Sequence, residues 1–370
     1  MQRHNNSPKV PKTNRDREGM EERNRKEFDD DYYQHQVIDV DPKQSSIRID
    51  KFLMDRIENI SRNRVQNAIR ASAVLVDGKV VKPNFKIKPL QKITIVLPRP
   101  RGEGIRVIPQ NIPLNIVYED DDLMVVNKPA GMPVHPGVGN YRGTLVNALA
   151  YHFRNLPVMD GNDEDRLGLV HRIDKNTTGL LVVAKTEYAM AHLSRQFYYH
   201  TTDRTYQALV WGEPKEDEGT INAHVGRHPR FRKLFTTFPE GDQGKWAVTH
   251  YKVLERMSYV SLVQCNLETG RTHQIRVHMQ MIGHPLFSDE KYGGDSIRRG
   301  AIFSKYKLFV EKCFSLLPRH ALHAKSLGFE HPVTGERMLF ESELPEDFQN
   351  ALDAWRGYVE ERKALLKEKK

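Results

Sequence analysis

Between residues 97 and 113 the chain carries Pro98, Pro100, Gly102, Gly104, Pro109 and Pro113, a density of breakers that neither a helix nor a strand tolerates. A 370-residue chain interrupted there is expected to fold as two units joined by a linker. Charge divides at nearly the same place. Residues 43–96 hold 12 basic and 4 acidic side chains, residues 1–42 hold 8 and 10, and the remainder holds 37 and 34. The formal excess of +9 is thus concentrated in one small segment. Such a segment suits a polyanionic partner, because phosphate contacts release counterions whatever the sequence. The two cysteines, Cys265 and Cys313, cannot build a disulfide framework, and no apolar run near the N-terminus resembles a signal peptide or membrane span. A reducing cytoplasm and no membrane are the corresponding expectations.

Residues 1–42 are rich in Arg, Asn, Lys and Glu and show no period, so a disordered tail is expected, with Asp29, Asp30 and Asp31 as a solvated charge run. From Ile49 onward Phe52, Leu53, Ile57 and Ile60 fall at helical spacing. Ser61 can cap a second helix that buries Val65, Ala68 and Ile69 and exposes Arg62, Arg64 and Arg70. Asp77 and Gly78, between two apolar runs, signal a two-residue hairpin followed by Lys79, and residues 92–96 make a further strand. Residues 43–97 therefore form a small helix-and-hairpin domain with one basic face, residues 98–113 the linker, residues 114–345 the larger domain and residues 346–370 a C-terminal helix.

In the larger domain residues 123–127 read as a buried strand, Thr144 as the cap of a helix running to about Phe153, and residues 187–199 as a helix. Strands are expected at 204–211, 248–255, 259–267, 324–330 and 336–341, with a helix over 271–282. Several short turns between strands favour an α+β class with a largely antiparallel, mixed sheet flanked by helices. At the C-terminus Phe348, Leu352, Trp355 and Val359 form a packing stripe. Between Gly168 and Lys185 two apolar runs flank a charged centre, which reads as strand, exposed turn, strand with Asp174 at the top.

Several blocks recur around that turn. They are HRID at 171–174 with TTGLL at 177–181, RTYQALVWG at 204–212, GRTHQIRVHM at 270–279, GHPL at 283–286, KYG at 291–293 and ALHA at 321–324. In this order they resemble the RluA/RluD family of RNA pseudouridine synthases over about residues 110–345. Ile173 stands where Leu is common and Thr178 where Ser is common, and neither change removes a chemical group. The N-terminal domain is similar to the S4 RNA-binding module.

The resemblance implies an isomerase that converts uridine to pseudouridine without cofactor or metal, since the reaction neither gains nor loses atoms. It makes Asp174 the carboxylate that attacks the sugar or removes a sugar proton. Arg271 is the guanidinium implied to hold that carboxylate in two hydrogen bonds, and Tyr206 the neighbour that stacks on the base. Arg172 would fill the space left by an extruded uridine, and Ile275 would line the uracil pocket. In the S4-like module Arg62, Arg64, Arg70 and Lys79 are the expected RNA contacts. The implied partner is large-subunit ribosomal RNA or a precursor ribosomal particle, bound by a monomer. Two other readings are a transfer-RNA-directed synthase and a non-catalytic ribosome-assembly factor that uses the S4-like module alone.

Metal chemistry has little support: His273 and His278 stand five apart, and no HExxH or paired CxxC exists. Gly241 to Lys245 is too short for a phosphate-binding P-loop, and Gly137 and Gly139 lack the third glycine of a dinucleotide fingerprint.

Overall fold

The computed structural model describes residues 33–58, 60–98, 107–137, 140–153, 168–301 and 303–368. In the N-terminal domain the Ser61 hydroxyl accepts the Arg64 amide at 3.2 Å and opens α2 (Arg62–Arg70) as its sequence predicts. The preceding helix α1 (Ile49–Met54) is shorter than its apolar pattern, and Ile57 enters the core from beyond its end. Strands β2 (Val74–Val76) and β3 (Lys79–Val80) meet at Asp77 and Gly78, whose φ values of 49° and 76° are those of a type I′ turn.

One boundary needs correction. The end of the supposed tail is a strand, β1 (Tyr33–Asp39), antiparallel along all of β4 (Lys92–Pro98), giving a four-stranded sheet in the order β1-β4-β2-β3. As an edge strand it is held by backbone pairing rather than deep burial, with Val37 exposed and Ile38 half-buried, so its pattern is faint. The tail expected over residues 1–32 and the linker expected over 99–106 lie outside the described residues. Residues 107–113, assigned to the linker, instead pack on the larger domain through Val107 and Ile112.

The larger domain is organised by β5 (Ile116–Glu119), β6 (Leu123–Lys128), β7 (Thr178–Ala184), β8 (Asp203–Trp211), β9 (Glu218–Asn222), β12 (Val248–Arg256), β13 (Val260–Leu267), β14 (Leu322–Glu330) and β15 (Arg337–Glu341). They form one nine-stranded sheet ordered β5-β6-β7-β14-β8-β13-β12-β9, with β15 also on β14. The β7–β14 pairing is parallel and the other pairings named here are antiparallel. All seven residues of β7 are buried because both of its faces are covered. Leu181 and Val183 face α3 (Leu145–His152) and α5 (Gln274–Met281), while Leu180 and Val182 face α4 (Glu187–Tyr198). Gly179 (φ +112°) permits the close crossing of β7 and β14: a Cβ there would lie 2.2 Å from the Ala324 carbonyl oxygen.

A separate two-stranded hairpin, β10 (His224–Arg227) with β11 (Phe235–Phe238), stands beside α5, and α6 (Ser304–Leu316) packs with α7 (Glu346–Glu368) on the sheet's far face. The expected stripe Phe348, Leu352, Trp355 and Val359 is buried there. The first limb of the central unit is no strand. It is extended chain touching β7 by one bridge, Leu169 to Val183, because residues 170–177 are given over to the turn that carries Asp174.

The two domains meet on α4. Asn67 of α2 donates to the Glu187 carboxylate at 3.1 Å, and His35 of β1 stacks on Tyr198 with ring centroids 4.8 Å apart.

Candidate active site

Asp174 sits in the turn before β7, opposite the start of α5. Its side chain is 18% exposed, and its Oδ2 accepts from Arg276 Nη1 at 2.8 Å. This corrects the expected ion pair. Arg271 instead directs its Nε to the Trp246 carbonyl at 3.2 Å, at the rim of the same cleft. The reason is a left-handed residue, His273 (φ 59°), which re-aims the chain before α5 begins at Gln274. Arg276, in the first turn of α5, then points inward and is 4% exposed. The sequence offered one signal for it, a cation flanked by Ile275, Val277 and Met279 in an apolar run, which demands a buried counter-charge. Nor is the hold on Asp174 twofold, since the paired hydrogen bonds of Arg276 go to Asp289, Nε to Oδ2 at 2.7 Å and Nη2 to Oδ1 at 2.8 Å.

Burial alone would drive the Asp174 carboxyl upward, but the charges of His273, Arg276 and His320 and the Arg276 hydrogen bond outweigh it, holding it well below the usual carboxylate range. Burial pushes His273 down to about 4 and His320 to about 3, so both are neutral at physiological pH and Arg276 is the cation that keeps Asp174 ionised there. A further buried cation lies close by. Lys128, 1% exposed at the end of β6, donates to the carbonyls of Pro129, Met132 and Lys175 at 2.7, 2.9 and 3.0 Å. Burial lowers it to about 7, with Asp174 opposing that shift. Arg319 grips the same turn through Nη1 to the Asn176 carbonyl at 3.1 Å, while Nε and Nη2 bind Asp347 of α7 at 2.6 and 2.8 Å.

Tyr206 stands on β8, on the sheet face shared with Ile173, Ile275 and Leu322, and is 8% exposed. Burial raises its phenol, with Arg204 opposing and Asp174 adding to the shift, so it stays protonated. Asp174, Tyr206, Ile275 and the exposed Arg172 all border one cleft that opens to solvent. Phe197 and His171 close its side and stack at 4.4 Å; His171 Nε2 accepts the Val182 amide at 3.0 Å and is held neutral, burial lowering it to about 3. A second groove borders Asp174 from the other side, lined in part by Lys175, Lys291, Arg319 and His320.

Of the S4-module candidates, Arg62, Arg70 and Lys79 are exposed and Arg64 is half-buried; none borders the Asp174 cleft. The residues that the sequence reading missed are Arg276, Asp289, His273, Tyr292 and Lys128. Also missed was the loop from His228 to Lys233, which joins β10 to β11 and presents Arg230, Arg232, Lys233 and an exposed Phe231. Among the described residues Asp120, Asp122 and His331 cluster at metal-ligand spacing, but both ring nitrogens of His331 are engaged. His331 Nε2 bonds Asp120 at 2.9 Å while its Nδ1 accepts the amides of Val333 and Thr334.

Residues 47–91 match the S4 domain family model, and residues 122–281, which include Asp174, Tyr206 and Arg276, match the model described as RNA pseudouridylate synthase. An RNA pseudouridine synthase of Chlorobaculum parvum is 45% identical over 319 residues, 86% of this chain and 96% of that protein. RNA pseudouridine synthase YlyB of Bacillus subtilis is 44% identical over 85% of this chain and 96% of its own length. Ribosomal large subunit pseudouridine synthase D of Zymomonas mobilis is 44% identical over 82% of this chain and 92% of its own. The fold is thus an S4 module followed by a pseudouridine synthase domain. The chain belongs to the family of RNA pseudouridine synthases.

Proposed function

We propose that this enzyme isomerises uridines of large-subunit ribosomal RNA, with Asp174 as the reacting carboxylate, Arg276 as its counter-ion and Tyr206 as the base-facing phenol. The observation that carries the reading is the buried Arg276–Asp174 bond at 2.8 Å at the edge of a cleft that Tyr206 and Ile275 also border. Pseudouridine formation breaks the N1–C1′ bond, turns the uracil and rejoins it through C5; the C5 proton is lost and N1 gains one. Both routes, attack of the carboxylate on C1′ and removal of a sugar proton, need an ionised Asp174 in a site that retains the detached base. Arg276 supplies the first condition, and the apolar wall of Ile173, Ile275 and Leu322 with Tyr206 supplies the second.

A uridine in folded RNA must leave its stack to reach Asp174, at a cost of a few kcal/mol. Arg172, exposed and bordering the cleft, would occupy the vacated position. The basic hairpin stands beside α5 and the S4 module docks on α4, two helices that lend Ile275 and Phe197 to the cleft, and each offers cations to backbone phosphates. Ribosomal RNA is favoured because several relatives of 40–44% identity carry the name ribosomal large subunit pseudouridine synthase D.

The test is to incubate wild-type protein and Asp174→Asn with uridine-labelled large-subunit RNA fragments and with transfer RNA. Conversion of the ribosomal fragment by wild type alone supports the reading. Conversion only of transfer RNA moves the substrate, and full activity of Asp174→Asn removes the residue assignment.

A further inference from the structure

The segment Gly283–Gly294, two blocks of which took part in the family resemblance, carries Asp289 and Tyr292. We infer that Asp289 and Tyr292 are positioning residues for the reaction, Asp289 by fixing the aim of Arg276 and Tyr292 by fixing that of His273 on the same carboxylate. The inference rests on Asp174 being the reacting group.

A guanidinium facing a lone carboxylate settles into two parallel hydrogen bonds. Here that arrangement belongs to Asp289, which is 1% exposed, so no bulk water competes for it. Only Nη1 remains for Asp174. The charge of Arg276 is therefore shared between two carboxylates: Asp174 is anchored and ionised, yet keeps more of its basicity than a private twofold pair would leave it. Asp289 is itself fixed by its turn, its Oδ1 accepting the Lys291 amide at 3.2 Å and its carbonyl the Gly294 amide at 2.8 Å. No side chain fits at Gly294, where a Cβ would meet the Leu286 carbonyl oxygen at 1.7 Å.

Tyr292 works on the same group from below and on a second one. Its ring lies 4.8 Å from Arg276 Cζ, which blocks the guanidinium from sliding off Asp174. Its hydroxyl accepts the Phe235 amide at 3.0 Å and lies 2.6 Å from His273 Nδ1; with the Asp174 carboxylate facing the ring's other nitrogen, the pairing in which the phenol donates to Nδ1 leaves the ring proton toward that carboxylate. Burial pushes this phenol up to about 12, which keeps the hydroxyl proton in place. In that tautomer His273 carries its ring proton on Nε2, which faces Asp174 Oδ2 at 3.8 Å. The left-handed backbone of His273 is the local cost of that placement.

The experiment uses the full chain and the labelled ribosomal RNA fragment, comparing Asp289→Asn and Tyr292→Phe with wild type and Asp174→Asn for kcat, KM and thermal midpoint. An asparagine presents an NH2 to donors already pointing at it, so Asp289→Asn is expected to lower kcat about 100-fold. Tyr292→Phe keeps the ring and releases the tautomer, and is expected to lower kcat about 3- to 10-fold, both with KM within about twofold of wild type. Wild-type kcat in either folded variant, or a loss confined to KM, overturns the inference. A kcat loss that merely follows the folded fraction does so too. If Asp289→Asn does not fold, Tyr292→Phe decides alone. An active Asp174→Asn would instead sink the underlying assignment, a result independent of the other two.

Discussion

Arg276 meets Asp174 through a single nitrogen at 2.8 Å, whereas Arg271, five residues earlier, turns its Nε to the carbonyl of Trp246. The two arginines are thus separable by experiment. Arg276→Lys replaces a planar fork bonded to two carboxylates by a point charge, and is expected to lower kcat by about two to three orders of magnitude. Arg271→Ala is expected to cost less than about tenfold, chiefly in KM, because it stands at the cleft rim. Steady-state kinetics on one RNA fragment checks both.

Lys128 should matter to the fold before it matters to chemistry. Its ammonium joins the carbonyls of Pro129, Met132 and Lys175, and a methionine there would leave buried acceptors unserved. Lys128→Met is expected to lose about 2–4 kcal/mol of stability in urea unfolding. Arginine, with a bulkier head, should not restore it.

The bond from Asn67 to Glu187 ties the S4 module to α4. Glu187→Ala should cost only about 0.5–1.5 kcal/mol of stability. Its larger effect is expected in binding, raising KM for a long RNA fragment while kcat and the KM of a short hairpin stay unchanged. Equal KM changes on both substrates would contradict a docked module.

Acid sensitivity should begin in the small domain. Asp50, fully buried, accepts two hydrogen bonds from Arg48 at 3.0 and 2.7 Å and one from Gln66 at 3.1 Å, and the Arg48 bonds lead in holding its carboxyl down at about 2. Because the folded value lies below the ordinary one, the stabilisation is complete above about pH 4 and is lost as pH falls toward 2. Circular dichroism from pH 5 to 2 should show this domain weakening in that window. Asp50→Asn should weaken it at neutral pH and flatten the dependence.

The parts of this architecture that sequence reading recovers are those with a local cause. Ser61 and Thr144 each cap the helix expected of them, Thr144 in a reciprocal box with Asn147, and Asp77-Gly78 turns the hairpin. The runs that become β8, β12, β13, β14 and β15 show through because their apolar residues alternate or cluster. What escapes reading depends on partners distant in sequence. Strand β1 is legible only once β4 lies beside it. Helix α6 begins after Phe303, which makes no side-chain cap bond, and buries only Tyr306, Val310 and Cys313. In the site, the structure brings together Asp174, Tyr206 and the stretch of α5 that the family blocks singled out. The choice between Arg271 and Arg276 turned on one left-handed residue, and Asp289 and Lys128 act through contacts that no spacing announces.

The parallel seam between β7 and β14 joins Thr178 to His323. A nascent chain that has just completed β7 has nothing to lay against that edge until some 145 further residues have been made. Loop-closure entropy opposes the pairing until then, so the turn bearing Asp174 is expected to acquire its final shape late, after β14 has left the ribosome. A polypeptide released before that strand would keep its small N-terminal module but not its catalytic turn: able to grip RNA, unable to alter it.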